Sequence, residues 1–274
     1  MPRRIPGTHF ARNLIERRTL IIQLVKRDFQ QRYVGSVVGW LWGLVHPLVL
    51  FASYYFIFGM VLTNKPGPNE ATTNYPMWLF CGMLPWLLFQ ETVQRSSVSL
   101  VEQANLITKT VFPAEIVSVS IFLSSGISNL LALVLAIAGG MVFLGYLSPL
   151  LAALPVLMLL LGMFAIGIGW IAAALQVYLR DTAQVLSVIL TLWFWATPIF
   201  LPEGTLARAG HWAVLLVKLN PLTYFVRAYR EAILGYRIPL LLHWGAIAAA
   251  VAIVVFVCGG LFFRYMKRGF ADVL

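Results

Sequence analysis

Residues 35–59 read GSVVGWLWGLVHPLVLFASYYFIFG, an apolar run that contains no Asp, Glu, Lys or Arg. A helix crossing the hydrocarbon core of a bilayer needs about 20 mostly apolar residues, and this run supplies them. Gly35, Gly39 and Gly43 stand at the small-xxx-small spacing that lets helices approach closely in lipid. His46-Pro47 predicts a kink, because proline removes a backbone donor. At roughly 100° per residue, Trp40, Pro47, Phe51, Tyr54, Tyr55 and Phe58 fall within an arc about as wide, leaving Trp42 and Phe56 on other faces. The stripe extends over about 27 Å of helix. An aromatic belt at one membrane depth explains that length poorly, whereas a packing seam and a ligand path both fit it.

The rest of the chain has the same character. Hydrophobic residues make up 60% and charged residues 11% of the sequence, and the mean hydropathy is +0.84. This composition belongs to an integral membrane protein rather than a soluble domain. Six stretches are long and apolar enough to be read as spans, at about 37–62, 76–98, 114–140, 150–177, 185–201 and 240–263, the fifth being the shortest. Long runs rather than alternating ten-residue segments argue against an outer-membrane barrel. The expected fold is an all-α membrane bundle, with a transmembrane domain at 37–264, a basic region at 1–36 and a short tail at 265–274.

Arginine and lysine set the orientation, since cytoplasmic flanks carry their excess. The first 36 residues hold Arg3, Arg4, Arg12, Arg17, Arg18, Lys26, Arg27 and Arg32, and the C-terminal end holds Arg264, Lys267 and Arg268. Both termini are therefore expected on the cytoplasmic side, in keeping with an even number of spans. The net charge of +10 follows from this flanking pattern, and no nucleic-acid motif accompanies it. Cys81 and Cys258 both sit within apolar spans, which suggests neither a disulfide framework nor a metal site. The N-terminus lacks the apolar core and small-residue cleavage site of a signal peptide, and its LIIQLV is too short to span.

Between the spans the polar features are few. Residues 11–34 place Leu14, Leu20, Ile21, Leu24, Val25 and Phe29 near helical spacing among basic residues, as in a helix lying on the inner membrane surface or forming a docking surface. SLVEQANLITKTVFP at 99–113 is a cytoplasmic segment with Glu102 and Lys109. From Pro202 to Pro239 runs an external segment with two amphipathic pieces, expected to sit in or dip into the outer leaflet. Arg227 and Glu231 there stand four apart, the spacing of a helix-stabilising pair. Glu91 and Arg95 share that spacing near the inner end of the second span. A phosphate-binding GxxxxGK[ST] loop, a GxSxG elbow, an HExxH pair and a Cys/His cluster are all absent, so hydrolytic enzyme chemistry is not expected. Intramembrane ionisable residues, which mark ion relays, are reduced to His46 and Glu91.

Taken as a set, RDFQQRYVGSVVGWLWGLVHPL (27–48), YPMWLFCGMLPWLLFQ (75–90), NLITKTVFPAEI (105–116), YLRDTAQVLSVILTLWFWATPIF (178–200) and LNPLTYFVRAYREAILG (219–235) resemble the membrane subunits of bacterial polysaccharide exporters. These are ABC-2 type permeases for O-antigens, teichoic acids and capsules. The resemblance runs from about residue 26 to the C-terminus, and His46 stands where the family's first span has the Asn of an NPL triplet. It implies a multi-pass homodimer in the bacterial inner membrane, bound to two copies of a cytoplasmic ABC ATPase that hold the ATP and Mg. The chain itself would bind no cofactor. Its cargo would be lipid-linked polysaccharide, most readily an O-antigen.

The resemblance also assigns residues. Glu102, Asn105, Leu106 and Lys109 match a coupling helix that enters the ATPase; Arg27, Asp28 and Arg32 match an interface helix beside it. Tyr224, Arg227, Arg230 and Glu231 fall in external gate helices. Trp40, Phe51, Tyr54, Tyr55 and Phe58, with Trp193 and Trp195 of the fifth span, would line a translocation path that widens between first and fifth spans. Three points agree from physics alone. Without a phosphate-binding loop, ATP chemistry must come from a partner. A single six-helix bundle has little room for a hydrated polymer, whereas a two-fold dimer can place a path at its interface. Aromatic faces suit the C–H faces of sugar rings without demanding one hydroxyl pattern. The competing expectations are an ABC-2 permease for drugs or small lipids, a secondary carrier, and a membrane-embedded glycosyltransferase; isolated Asp181 and Glu102 do not form the acidic cluster the last would need.

Overall fold

The computed structural model describes residues 17–36, 39–67, 70–104, 113–202, 210–235 and 237–273, and among these every regular element is helical. In chain order they are α1 (Arg18–Tyr33), α2 (Trp42–Tyr54), α3 (Tyr75–Glu102), α4 (Glu115–Leu144), α5 (Leu154–Tyr178), α6 (Thr182–Ala196), α7 (His211–Leu219), α8 (Pro221–Leu234), α9 (Ile238–Met266) and α10 (Phe270–Val273). A 3-10 turn, Gly39–Leu41, leads into α2, and a seven-residue π-helix, Tyr55–Val61, prolongs it. Pro47 lies inside α2.

Helix starts follow local chemistry. The Asn74 side chain accepts from the Met77 N–H at 3.2 Å at the head of α3, and Asn220 accepts from the Leu222 N–H at 3.0 Å at the head of α8. Each cap is followed within the first turn by a proline, Pro76 and Pro221, whose missing donor costs nothing there. Gly145 ends α4 at φ 73°, the left-handed C-cap conformation that glycine adopts without strain.

Among the described residues, four helical stretches are long and apolar enough to cross a membrane: Gly39–Val61, Glu115–Leu144, Pro149–Tyr178 and Ile238–Gly269. The second and fifth expected spans depart from that standard for different reasons. The helix α3 has 28 residues but carries Gln90, Glu91, Gln94 and Arg95, and it is the most buried long helix of the fold, with Trp78, Trp86 and Phe89 almost wholly enclosed. The helix α6 is apolar, but its 15 residues reach about 22 Å, short of a hydrocarbon core of about 30 Å.

The core forms around α3, which packs on α4, α5, α8 and α6, while α5 in turn packs on α9. On the other flank α1 lies against α4 and buries Ile21 and Leu24 against Ile116. Its apolar face is thus used within the chain. The second external piece forms α8, which is inserted among α3, α5 and α9 and buries Phe225, Val226, Tyr229, Arg230 and Glu231. Glu231 is 3% exposed and is ion-paired with Arg237 at 2.9 Å, and Arg227 lies over the Trp244 ring at 4.3 Å.

The glycine expectation also changes. Gly35 and Gly39 have φ of 77° and 58° and would meet nothing within 4 Å if given a side chain, so they turn the chain between α1 and α2 and serve no close approach within it. The close approach lies between α5 and α9, where a Cβ on Gly259 would strike the Gly167 carbonyl and one on Gly167 would come within 2.7 Å of the Val255 carbonyl. Both obstacles are backbone, which cannot rotate away. Gly259→Val is therefore expected to destabilise the protein by about 1–3 kcal/mol, read as a lowered unfolding midpoint in detergent. Gly126→Ala, with open space around it, should leave that midpoint unchanged or raise it.

Candidate functional site

A cavity of about 630 Å³ lies between α2, α3, α4 and α6. The fold puts it there because α2 touches α3 and α4 only sparsely and keeps no residue fully buried, leaving space between the first helix and the core. Its aromatic walls are Trp42 and Tyr54 of α2, Trp86 of α3, and Phe194 and Trp195 of α6. Its polar lining consists of Arg32, His46, Gln90, Glu91, Gln94, Ser128, Asn129 and Thr191. The indole N–H of Trp86 donates to Gln90 Oε1 at 2.7 Å, and Asn129 Nδ2 donates to the Leu84 carbonyl at 3.2 Å, so part of this lining is held in place.

The floor of the cavity is an ion-pair network. Arg32 is paired with Glu91 and lies 3.5 Å from Asp28; Arg95 is paired with Asp28 and lies 3.9 Å from Glu91. Arg32 also donates to the Ser125 hydroxyl at 2.8 Å. Two residues of α1 and two of α3 thus alternate in sign, and each guanidinium faces both carboxylates. Beyond the network, Asp28 and Arg95 border a second cavity of about 330 Å³ between α1, α3 and α4, where Arg27 and Glu102 also stand. Arg27 donates to Gln103 Oε1 at 3.3 Å, at the end of α3.

The expected path residues separate into three groups. Phe51, Tyr54 and Phe58 face aromatics of the same chain: Phe51 meets Phe80 edge-on at 5.1 Å, Tyr54 lies 4.7 Å from Phe200, and Phe58 stacks on Phe200 at 4.9 Å, all between ring centroids. Tyr55 stacks on Phe51 at 5.9 Å. Trp193 turns toward the core, edge-on to Phe89 and Phe164, with its N–H donated to Asn220 Oδ1 at 2.8 Å. Trp40 and Trp195 are more than half exposed. Of the seven, Tyr54 and Trp195 border the cavity.

The remaining assignments lie at the two ends. Asn105, Leu106 and Lys109 fall outside the described residues, while Glu102 is exposed at the end of α3. At the opposite end, Arg230 is 3% exposed and donates to the carbonyls of Trp78 at 3.0 Å and of Pro198 and Ile199 at 2.9 Å, with its guanidinium 3.4 Å from the centre of the Trp78 ring. It fastens α8 to the head of α3 and to the bend that follows α6. Tyr224 is stacked loosely near Trp244, at 6.0 Å. Asn129, Gln90 and Gln94 escape a search confined to ionisable residues; the signal that finds Asn129 is an amide in the middle of the apolar run SGISNLLALVLA. The described residues contain no group of His, Cys, Asp and Glu able to hold a metal ion.

Residues 19–234 match the ABC-2 type transporter family. Among curated proteins, the O-antigen export system permease protein RfbA of Myxococcus xanthus is 29% identical over 262 residues, covering 96% of this chain and 98% of that protein. Two RfbA permease proteins of Klebsiella pneumoniae are 28% and 26% identical, each covering 93% of this chain and 95% of its own length.

The ion-pair floor makes a definite forecast. Arg32→Glu and Glu91→Arg should each lower the unfolding midpoint, since each places like charges together. The double exchange should recover part of the loss, with a coupling on the order of 1 kcal/mol by double-mutant cycle.

Proposed function

The chain belongs to the ABC-2 type transporter family, and from that premise we propose that it is the membrane permease subunit of an ATP-driven exporter of lipid-linked polysaccharide, an O-antigen in the first instance. The observation that carries this reading is the near full-length similarity to three permeases named for O-antigen export. As a permease it moves its cargo rather than transforming it. The aromatic-walled cavity beside α2 and α6 supports the choice of cargo, since flat aromatic faces hold sugar rings by many weak contacts and allow sliding.

In this reading the protein is a multi-pass protein of the bacterial inner membrane with both termini in the cytoplasm. Six crossings arise when α3 and α6 are added to the four apolar stretches. For α3, burial inside the protein substitutes for apolarity, because groups shielded by neighbouring helices need no lipid-compatible surface. Energy comes from two copies of a cytoplasmic ABC ATPase, which hold ATP and Mg. Residues 99–113 receive the push, with Glu102, Asn105, Leu106 and Lys109 at the contact and Arg27, Asp28 and Arg32 of α1 beside it. The Arg27–Gln103 hydrogen bond and the ion-pair floor would carry that movement from α1 into α3.

A second copy of the chain completes the path. The outward faces of α2 and α6 expose Val49, Phe56, Ile57, Val188, Leu192 and Trp195, a surface that a two-fold partner can cover while leaving the aromatic stripe along the seam. Trp40, Phe51, Tyr54, Tyr55, Phe58 and Trp195 then flank the path, and Trp193 braces α6 from behind. At the outer end, Tyr224 and Arg227 belong to the gate, with Arg230 and Glu231 as its anchors.

Two experiments test this function. The tagged chain purified in mild detergent should bring down a stoichiometric ATPase, and that partner should be lost when Glu102, Asn105 and Lys109 are replaced by alanine; a partner-free oligomer would overturn the assignment. In cells, Tyr54→Leu with Tyr55→Leu should cut surface polysaccharide at least tenfold while assembly with the ATPase persists. Undiminished export would return those rings to a packing role.

A further inference from the structure

The cavity between α2, α3, α4 and α6 has a feature that packing does not explain. Asn129 is 8% exposed and borders the cavity, yet its Oδ1 has no hydrogen-bond partner. A buried acceptor left unsatisfied is unfavourable, and such atoms in native folds generally await a water or a ligand donor. The Nδ2 of the same side chain is fixed on the Leu84 carbonyl, so the amide cannot rotate to find another partner for Oδ1 without giving up that bond. The lining around it is aromatic, with Trp42 and Trp195, each more than half exposed, as its accessible tryptophans.

From this arrangement we propose that each protomer holds a neutral saccharide unit in this cavity, with Asn129 Oδ1 accepting from a sugar hydroxyl and the tryptophans stacking on the ring. The assignment rests on the polysaccharide reading above and adds a site inside one protomer to the path between two. Volume and chemistry both favour it. A cavity of about 630 Å³ falls within the range of small-molecule sites, and combining aromatic walls with a few fixed polar groups suits a hydroxylated ring. A phosphate is disfavoured as occupant. The guanidinium of Arg32 at the floor already faces Glu91, Asp28 and the Ser125 hydroxyl, and Glu91 adds its own negative charge to the lining. The amide and the tryptophans would thus act on the sugar, leaving any anionic lipid carrier to other groups.

The test uses the full chain in lipid nanodiscs and saturation-transfer NMR with methyl α-mannoside, methyl α-rhamnoside and N-acetylglucosamine as probes, with inorganic pyrophosphate as the anionic comparison. At least one neutral sugar should receive saturation and pyrophosphate none. Asn129→Leu should weaken sugar binding about tenfold. Leu87→Trp, which fills the cavity from a half-buried position, should abolish it with the unfolding midpoint preserved. Absence of sugar binding to the wild-type chain, equal binding in both variants, or binding of pyrophosphate in place of sugar would each overturn the site. Surface polysaccharide in complemented cells is scored in parallel. Normal export by the wild-type chain alongside no sugar signal removes the site and keeps the export function. Absent export removes the export function and the site proposed upon it.

Discussion

A charged group enclosed among packed helices must be answered from within the protein, and α3 carries two. Glu91 and Arg95 sit one turn apart on the helix around which the core is built. These side chains are part-buried, 15–37% exposed, so a charge left without its partner there keeps only part of its hydration. Asp28 and Arg32 of α1 supply the opposite signs. The docking of α1 beneath the bundle is therefore an electrostatic requirement of α3 as much as a hydrophobic one, although Ile21 and Leu24 add an apolar grip on α4.

The same constraint operates at the other end of α3. Arg230 enters the core on α8 and satisfies its donors on three backbone carbonyls, two of them in the bend after α6. Those carbonyls lie where regular helix hydrogen bonding stops, so the guanidinium and the bend complete one another. Gly82 leaves the room for it, since a Cβ there would collide with the guanidinium. Glu231, one residue on, is compensated separately by Arg237, which also donates its backbone N–H at 2.8 Å. The helix that carries both charges is consequently fixed in rotation as well as in depth.

Between these two anchored ends the packing is uneven, and the unevenness makes the site. The tight contact of α5 with α9 across Gly167 and Gly259, and the aromatic stack of Phe89, Phe164 and Phe225, form a rigid side. On the opposite side α2 and α6 keep exposed apolar faces and enclose a cavity rather than a filled core. Movement, where transport needs it, is cheapest at α2 and α6, where the fewest packed contacts must be broken.

Much of this was legible in residues alone. Apolar run lengths specify a helical membrane protein, because only helices satisfy their own backbone groups within such a run, and the ordered motifs point to the ABC-2 type family. The sequence could place Asp28, Arg32, Glu91 and Arg95 only as two separate i, i+4 neighbours, since joining them across α1 and α3 depends on how helices distant in the chain are packed. For the same reason Gly35 and Gly39 read as a close-packing motif but serve a turn, and the burial of Arg230 and Glu231, which spacing alone places on an amphipathic external piece, follows only from how α8 packs. Hydropathy and spacing report what each helix carries. Which face meets which neighbour is fixed by the simultaneous pairing of buried charges and filling of volume, and that is decided only when all the helices are assembled.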